Sequence, residues 1–285
     1  MNCPLCAAQG PRRMFDKNGY QVLLCPSCDT AFIDPMPGEE AIRGTYTLDY
    51  FKGNRSKFGY ADYSAESAFL AKNFASRGKI IESFVPRGRI LDVGCANGAF
   101  LAALGPHWEK HGIEVSTDLL KDSPPPKEVA VLAGGVLEYP GAEGSFDALT
   151  LFDVLDHVSS PRSVLKKARS LLKSGGLLSV LQGDRSSFFA GLLGSRWYIY
   201  IPPTHLWYFS RAGLSRLLEQ EGFEVLRAEY EPRWASLTLC LFRLSYILPS
   251  FLVDPFYRLL KGTRLGEAGI RFNFRDVVTL YARAR

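Results

Sequence analysis

From residue 89 onward the chain repeats one pattern: a short apolar run, a polar break, then a stretch whose apolar residues recur at helical spacing. Runs near 89–94, 110–115, 129–133, 146–152 and 177–182 have the length of buried strands, and the segments between them read as helices. This alternation predicts a parallel sheet with helical crossovers, an α/β fold. Ser160 followed by Pro161 predicts a serine-capped helix start. Ser210 predicts a second cap, for a helix from Arg211 to Glu221 whose Leu214, Leu217 and Leu218 share a face and which Gly222 ends. Leu171 to Val180 reads as a helix end closed by Gly175 and Gly176, followed by a strand. Further strands are predicted over Phe223–Tyr230 and Val277–Ala282, and a helix from about Ala65 to Phe84. Ahead of that helix, Tyr46, Tyr50, Phe51, Phe58, Tyr60 and Tyr63 are expected to pack between the N-terminal segment and the main domain rather than to pave a pocket.

Residues 89–98 carry the first of these strands into a glycine-bearing turn. Gly94 and Gly98 let the backbone bend tightly and approach a ligand with no Cβ in the way, while Asp92 sets a carboxylate at the strand end. The G-x-G-x-x-G that would cradle a dinucleotide pyrophosphate is missing. Gly112 to Ser116 is a short apolar run that carries Glu114, about 20 residues past the turn, where a Rossmann-like fold places an acid on ribose hydroxyls.

Asp92 to Gly98 resembles the D-x-G-x-G-x-G motif of class I S-adenosylmethionine-dependent methyltransferases, with Ala96 in place of the middle glycine. Gly135 to Glu138 is similar to the loop with which that family contacts adenine. Gly144 to Val158 is similar to its fourth strand and the following turn, with Asp156-His157 where members usually carry Glu-His. Leu171 to Val180 matches its helix-Gly-Gly-strand passage. The resemblance implies a Rossmann-like, doubly wound, seven-stranded sheet in which residues 277–282 form an antiparallel strand 7 beside strand 6. It also implies S-adenosylmethionine as cofactor, held by Asp92, Gly94, Cys95, Gly98, Glu114, Val136, Leu137 and Phe152. In that topology the 233–272 segment, which joins strands 6 and 7, lies over the active-site mouth.

Methyl transfer from a sulfonium is an in-line displacement, so the protein must align the partners and remove a proton from the acceptor. His205 is the candidate general base, in a run His-Leu-Trp-Tyr-Phe-Ser that resembles the family's segment before the helix preceding strand 6. Asp153, at the end of strand 4, faces the expected methyl position. Asp156-His157 stands where some quinone-pathway relatives hold a divalent metal; with Asp in place of Glu and no second acid, no catalytic metal is predicted there.

Cys3-Pro-Leu-Cys6 and Cys25-Pro-Ser-Cys28 are two C-x-x-C pairs 18 residues apart, the spacing of a four-cysteine zinc ribbon. A four-thiolate site has no open position, so the zinc is expected to be structural, and a segment this short needs the metal to fold. The domains predicted are a ribbon over 1–38, a connecting helical segment over 39–88, and a methyltransferase domain over 89–285 with insertions at 183–209 and 233–272 forming a lid.

The six cysteines do not suggest a disulfide scaffold, and the first residues have neither a basic region nor an apolar run, so a reducing cytoplasm is the expected setting. A formal charge of +5 is too mild to demand nucleic acid, and no DNA partner is expected. Much of the excess lies in 233–272, with six Arg and Lys against two acids. Three roles are open to that apolar and basic segment: a lid over an apolar substrate, a peripheral membrane contact and a homodimer surface. A ribbon joined to a methyltransferase resembles deoxysugar C-methyltransferases and some ribosomal RNA methyltransferases. The latter would carry a histidine in the ribbon and a broader basic surface, so the acceptor is predicted to be a small molecule, a saccharide or apolar metabolite. Thr204 replaces the acid of the sugar enzymes, which leaves O-methylation at least as open as C-methylation. An RNA acceptor and a non-catalytic cofactor-binding scaffold are the alternatives.

Overall fold

The computed structural model describes residues 1–45, 66–245 and 248–285. The six aromatic residues singled out between 46 and 63 lie outside the described residues. Seven strands form the central sheet: β4 (Gly88–Val93), β5 (Trp108–Glu114), β6 (Val129–Ala133), β7 (Phe146–Phe152), β8 (Leu172–Gly183), β10 (Phe223–Glu229) and β13 (Val277–Ala284). Their order is β10-β13-β8-β7-β4-β5-β6. β4 to β8 are parallel, and β13 runs antiparallel between β8 and β10. This is a Rossmann-like α/β sheet with strand 7 inserted beside strand 6, as the sequence resemblance implied.

Helices cover both faces, and the buried side chains divide accordingly. On one face, Val164, Leu165, Ala168 and Leu171 of α5 (Pro161–Leu171) and the leucines of α7 (Arg211–Gln220) pack on Leu149, Leu151 and Val180. On the other, Ile81 of α2 (Ser67–Phe84) and Phe100 and Leu101 of α3 (Ala99–Ala102) pack on Ile90, Ala148 and Tyr281. The period of α5 explains the assignment, because residues 164, 165, 168 and 171 fall on one helical stripe. Shorter helices are α1 (Glu39–Arg43), α4 (Thr117–Asp122) and α6 (Phe188–Leu193).

Three local readings are amended. Ser160 does not cap α5: its hydroxyl meets that of Ser163 at 2.8 Å instead. Ser210 does cap α7, accepting the Gly213 N–H at 2.9 Å. The glycine pair does not close a helix, because α5 ends at Leu171 and Gly175 turns the chain at φ 77° inside β8. Leu172 is already paired with Phe146, so the ladder begins before the glycines.

The N-terminal segment does not stand apart. β1 (Arg12–Lys17), β2 (Tyr20–Cys25) and β3 (Thr30–Asp34) form an antiparallel sheet whose fourth strand is β9 (Trp207–Phe209), distant in sequence. Val22, Phe32 and Ile33 are buried in the same cluster as Leu149 and Trp207. At about 1.5–3 kcal/mol per buried large side chain, these contacts are substantial against what so short a segment can supply alone. Polar contacts reinforce the joint. Asp29 accepts from Arg185 and, at 2.5 Å, from the Ser210 hydroxyl, and Asn18 donates to the Pro202 carbonyl at 2.8 Å.

The segment between β10 and β13 forms a hairpin of β11 (Arg233–Ser236) with β12 (Gly269–Phe272), carrying α8 (Leu237–Leu244) and α9 (Ser250–Leu260) between its strands. Asn73 on α2 fastens it by donating to the Trp234 carbonyl at 3.0 Å and accepting the Trp234 N–H at 2.8 Å, and Glu66 accepts the Ser236 N–H at 3.1 Å.

Candidate active site

The turn after β4 is built by backbone that side chains resist. Gly94 and Gly98 have φ of 70° and 76°, and a Cβ on Gly94 would come within 3.0 Å of Val154. Ala96 also holds a positive φ, 49°, where the family motif has glycine. That geometry costs an L-residue about 1–2 kcal/mol. Its N–H is taken up by Glu114 Oε2 at 2.9 Å, and the other carboxylate oxygen accepts the Ser116 N–H at 2.9 Å. Glu114 therefore clamps the turn as well as facing the crevice.

Asp92 ends β4 nearly buried and accepts the Thr150 hydroxyl at 2.5 Å. Burial pushes it up to about 7; the Thr150 hydrogen bond pulls down and the charge of Glu114 pushes up. Cys95 packs its sulfur over Gly112, where a Cβ would meet it at 2.5 Å, and burial pushes its thiol well up, so it is no nucleophile. Val136 is buried in a 3₁₀ turn over Val136–Glu138, while Leu137 sits half exposed at the rim. The Phe152 ring lies edge-on to Phe100 at 5.0 Å, with the Arg77 guanidinium 5.0 Å from its centroid.

Seven of the eight residues expected to hold the cofactor line one cavity of about 630 Å³; Gly98, farther along the same turn, is not among its lining residues. Asp153, Asp156, His157 and His205 line the same cavity. Its roof is the β11–β12 hairpin, through Trp234, Leu239, Phe242 and Phe272, with Tyr198 and Ile199 from the 183–209 insertion.

Asp153 holds a left-handed φ of 53°, an uncommon conformation that fixes its side chain at the strand end. Its side chain is solvent-accessible and lines the cavity. Protein enclosing that space raises its carboxyl to about 6, the neighbouring Asp156 pushes the same way, and Arg77 opposes. His205 is nearly buried and meets the Ile199 carbonyl at 2.9 Å through Nδ1. A carbonyl only accepts, so Nδ1 carries the proton and the Nε2 lone pair is available. Burial pulls His205 down to about 4, with Asp156 opposing from 3.4 Å and His157 assisting. His157 is held likewise, Nδ1 to the Thr204 carbonyl at 2.9 Å, and the two rings meet edge to face at 4.6 Å. Asp156 Oδ1 is buried with no hydrogen-bond partner among the described residues, His157 Nε2 standing 3.8 Å away.

The structure thus brings His205 against Asp156 and His157, two residues the sequence reading had set aside, and places Asp153 in the same cavity. Sequence reasoning missed Thr150, Arg77 and Arg233. Thr150 was detectable as the polar residue inside an apolar strand. The arginines had no local signal: Arg77 pairs with Glu231 at 3.2 Å and Arg233 with Asp276 at 3.0 Å, across the chain. Arg77 and Arg233 have carboxylate partners and Arg243 lies over the Tyr198 ring; against these three cations the cavity is lined by Asp92, Glu114, Asp153 and Asp156 together with Glu39, Glu66 and Glu138, so its lining is acidic, a field suited to a cationic ligand.

In the N-terminal segment the four cysteines converge. Cys3 and Cys28 sulfurs are 3.8 Å apart, Cys6 and Cys25 3.6 Å, and all four lie within 4.8 Å of one another. A tetrahedron with Zn–S of about 2.3 Å has edges of about 3.8 Å, so the spacing fits the ion. The Cys28 thiol is pushed up to about 12 by its hydrogen bond with Cys3 and by burial.

The ubiquinone biosynthesis O-methyltransferase of Thiobacillus denitrificans is 29% identical over 149 residues, which cover 48% of this chain and 64% of that protein. The match thus spans less than two-thirds of that relative's length. Among solved structures, the 1,6-didemethyltoxoflavin N1-methyltransferase of Burkholderia thailandensis, with its substrate and S-adenosylhomocysteine bound, aligns with a TM-score of 0.53 at 14% identity, over 96% of this chain and 99% of that one. A methyltransferase of Thermotoga maritima, described as a possible histamine N-methyltransferase, aligns with a TM-score of 0.51 at 21% identity, over 78% and 92%. These two likenesses establish the shared fold. The family model described as "Methyltransferase domain" matches residues 59–228, more than half of the sequence, and the chain belongs to that family.

Proposed function

We propose that the protein transfers the methyl group of S-adenosylmethionine to a hydroxyl of an apolar small molecule, with His205 as general base. The observation that carries this reading is the single cavity in which the acidic crevice beside the glycine turn opens onto an apolar chamber bearing His205. Asp92, Glu114, Val136, Leu137 and Phe152 would hold the cofactor, whose sulfonium and ammonium groups suit the uncompensated carboxylates. The cofactor supplies an electrophilic methyl group; the chain orients both partners and manages the proton. The His205 Nε2 lone pair accepts the hydroxyl proton, and Asp156 stabilises the imidazolium as it forms.

An apolar rather than saccharide acceptor is favoured by the chamber's Leu70, Phe74, Leu239, Phe242 and Phe272. The curated relatives are named O-methyltransferases, in keeping with a hydroxyl as acceptor. The cysteine quartet would bind zinc structurally, with all four positions filled by thiolates. Its role would be to brace the site: the ribbon sheet pairs through β9, and Ile33 N–H donates to the Leu206 carbonyl at 3.1 Å, next to His205. This argues against the ribbon as an RNA-binding appendage.

The test is to incubate the protein with S-adenosylmethionine and a panel of hydroxylated aromatic lipids, sugars and RNA, reading S-adenosylhomocysteine and product mass. Acceptor-dependent turnover with an apolar phenol supports the reading. Turnover confined to sugars or RNA overturns it.

A further inference from the structure

Helix α9 faces the wrong way for a soluble surface. Phe251 is 73% exposed, Phe256 61% and Leu259 72%, while Val253, on the opposite side, is 3% exposed. At helical spacing Phe251, Leu252, Pro255, Phe256 and Leu259 fall on one arc of about 140°, so the outward stripe is the apolar one. Nothing among the described residues covers it. Arg258 flanks the stripe on the helix, and Lys261 and Arg264 follow in the turn, all exposed, with Leu265 63% exposed beside them. Between residues 248 and 272 the acids are Asp254, half-buried, and Glu267.

We propose that α9 and the turn after it dock on an anionic lipid surface. Large apolar side chains outward with cations at their margin match both halves of a bilayer interface: the rings enter the acyl boundary and the cations remain at the headgroups. The charge favours lipid over a second copy of the chain, since two basic faces would repel. No helix among the described residues is long and apolar enough to span a membrane, so the contact is peripheral. The surface is continuous with the roof of the cavity, because Tyr257 of α9 packs on Phe242 of α8 at 6.1 Å, and Phe242 lines the chamber. This docking does not depend on which molecule is methylated.

The experiment is flotation of the full chain with phosphatidylcholine vesicles, with and without phosphatidylglycerol. Binding is expected only to the anionic vesicles and should weaken with salt. Replacing Arg258, Lys261 and Arg264 with Ala should lower binding about a hundredfold. F251E/F256E should abolish it, with circular dichroism and S-adenosylmethionine affinity unchanged to show that the fold persists. Two results would overturn the proposal: no binding to anionic vesicles, or binding that both variants retain. A concentration-dependent dimer that F251E/F256E dissociates, with no vesicle binding, would assign the face to a second copy and likewise reject it.

Discussion

Cofactor binding should expel a proton from Asp92. The carboxyl is buried among protein groups, which pushes it up to about 7, against about 3.8 when solvated. That displacement corresponds to about 4 kcal/mol held against the ionised form. The folded state binds more protons than the unfolded state between these two values, so the cofactor-free chain loses stability as pH rises from about 4 to about 7. A cation placed beside Asp92 reverses the penalty by pulling the group back down. At about pH 6.5 a group of pKa about 7 is about three-quarters protonated, so binding S-adenosylmethionine should release about that fraction of a proton from Asp92. Calorimetric titration in buffers of different ionisation enthalpy measures the release directly. It should fall almost to zero at about pH 8.5, and in D92N it should drop to the smaller share due to Asp153. The same linkage makes the thermal stabilisation by cofactor larger at about pH 8 than at about pH 5. A buffer-independent binding enthalpy at about pH 6.5, or an undiminished release in D92N, would refute the placement of the cofactor's charge beside Asp92.

Replacing His205 with Gln should lower kcat by about 10²–10⁴ while leaving S-adenosylmethionine affinity within about twofold; an unchanged kcat would remove it as base. The pH profile separates the two candidates: if His205 alone must be unprotonated, the acid limb lies near 4, whereas a limb near 6 that disappears in D153N would assign the base to Asp153. T150V removes the hydroxyl that Asp92 accepts and should raise the Asp92 pKa, weakening cofactor binding about tenfold at neutral pH, as read by titration. Treatment with a zinc chelator, or C25S, should lower the melting temperature and expose Trp207 to solvent, seen as a red-shifted fluorescence; retained burial would dissociate the quartet from β9.

Much of the sheet was legible because its cause is local. A parallel strand buried on both faces must be a short apolar run, and a tight turn that admits a ligand must place glycines at its positive-φ positions, so residues 89–98 declare themselves within ten positions. Two C-x-x-C pairs are equally local, since each knuckle is one turn. Sheet topology led to the expectation that the 233–272 segment overlies the site, and seven of its residues, Trp234, Leu239 and Phe242 among them, line the cavity. What the sequence could not decide is which distant groups share an environment. The pairing of β3 with β9 joins residues near 30 to residues near 208 because β3 would otherwise leave an open edge, and no pattern within either segment names its partner. The contact of His205 with Asp156, and the ionisation of Asp92, Asp153 and His205, depend on burial and on charges contributed by several separate segments. Those are properties of the packed cavity, and only the tertiary structure creates them.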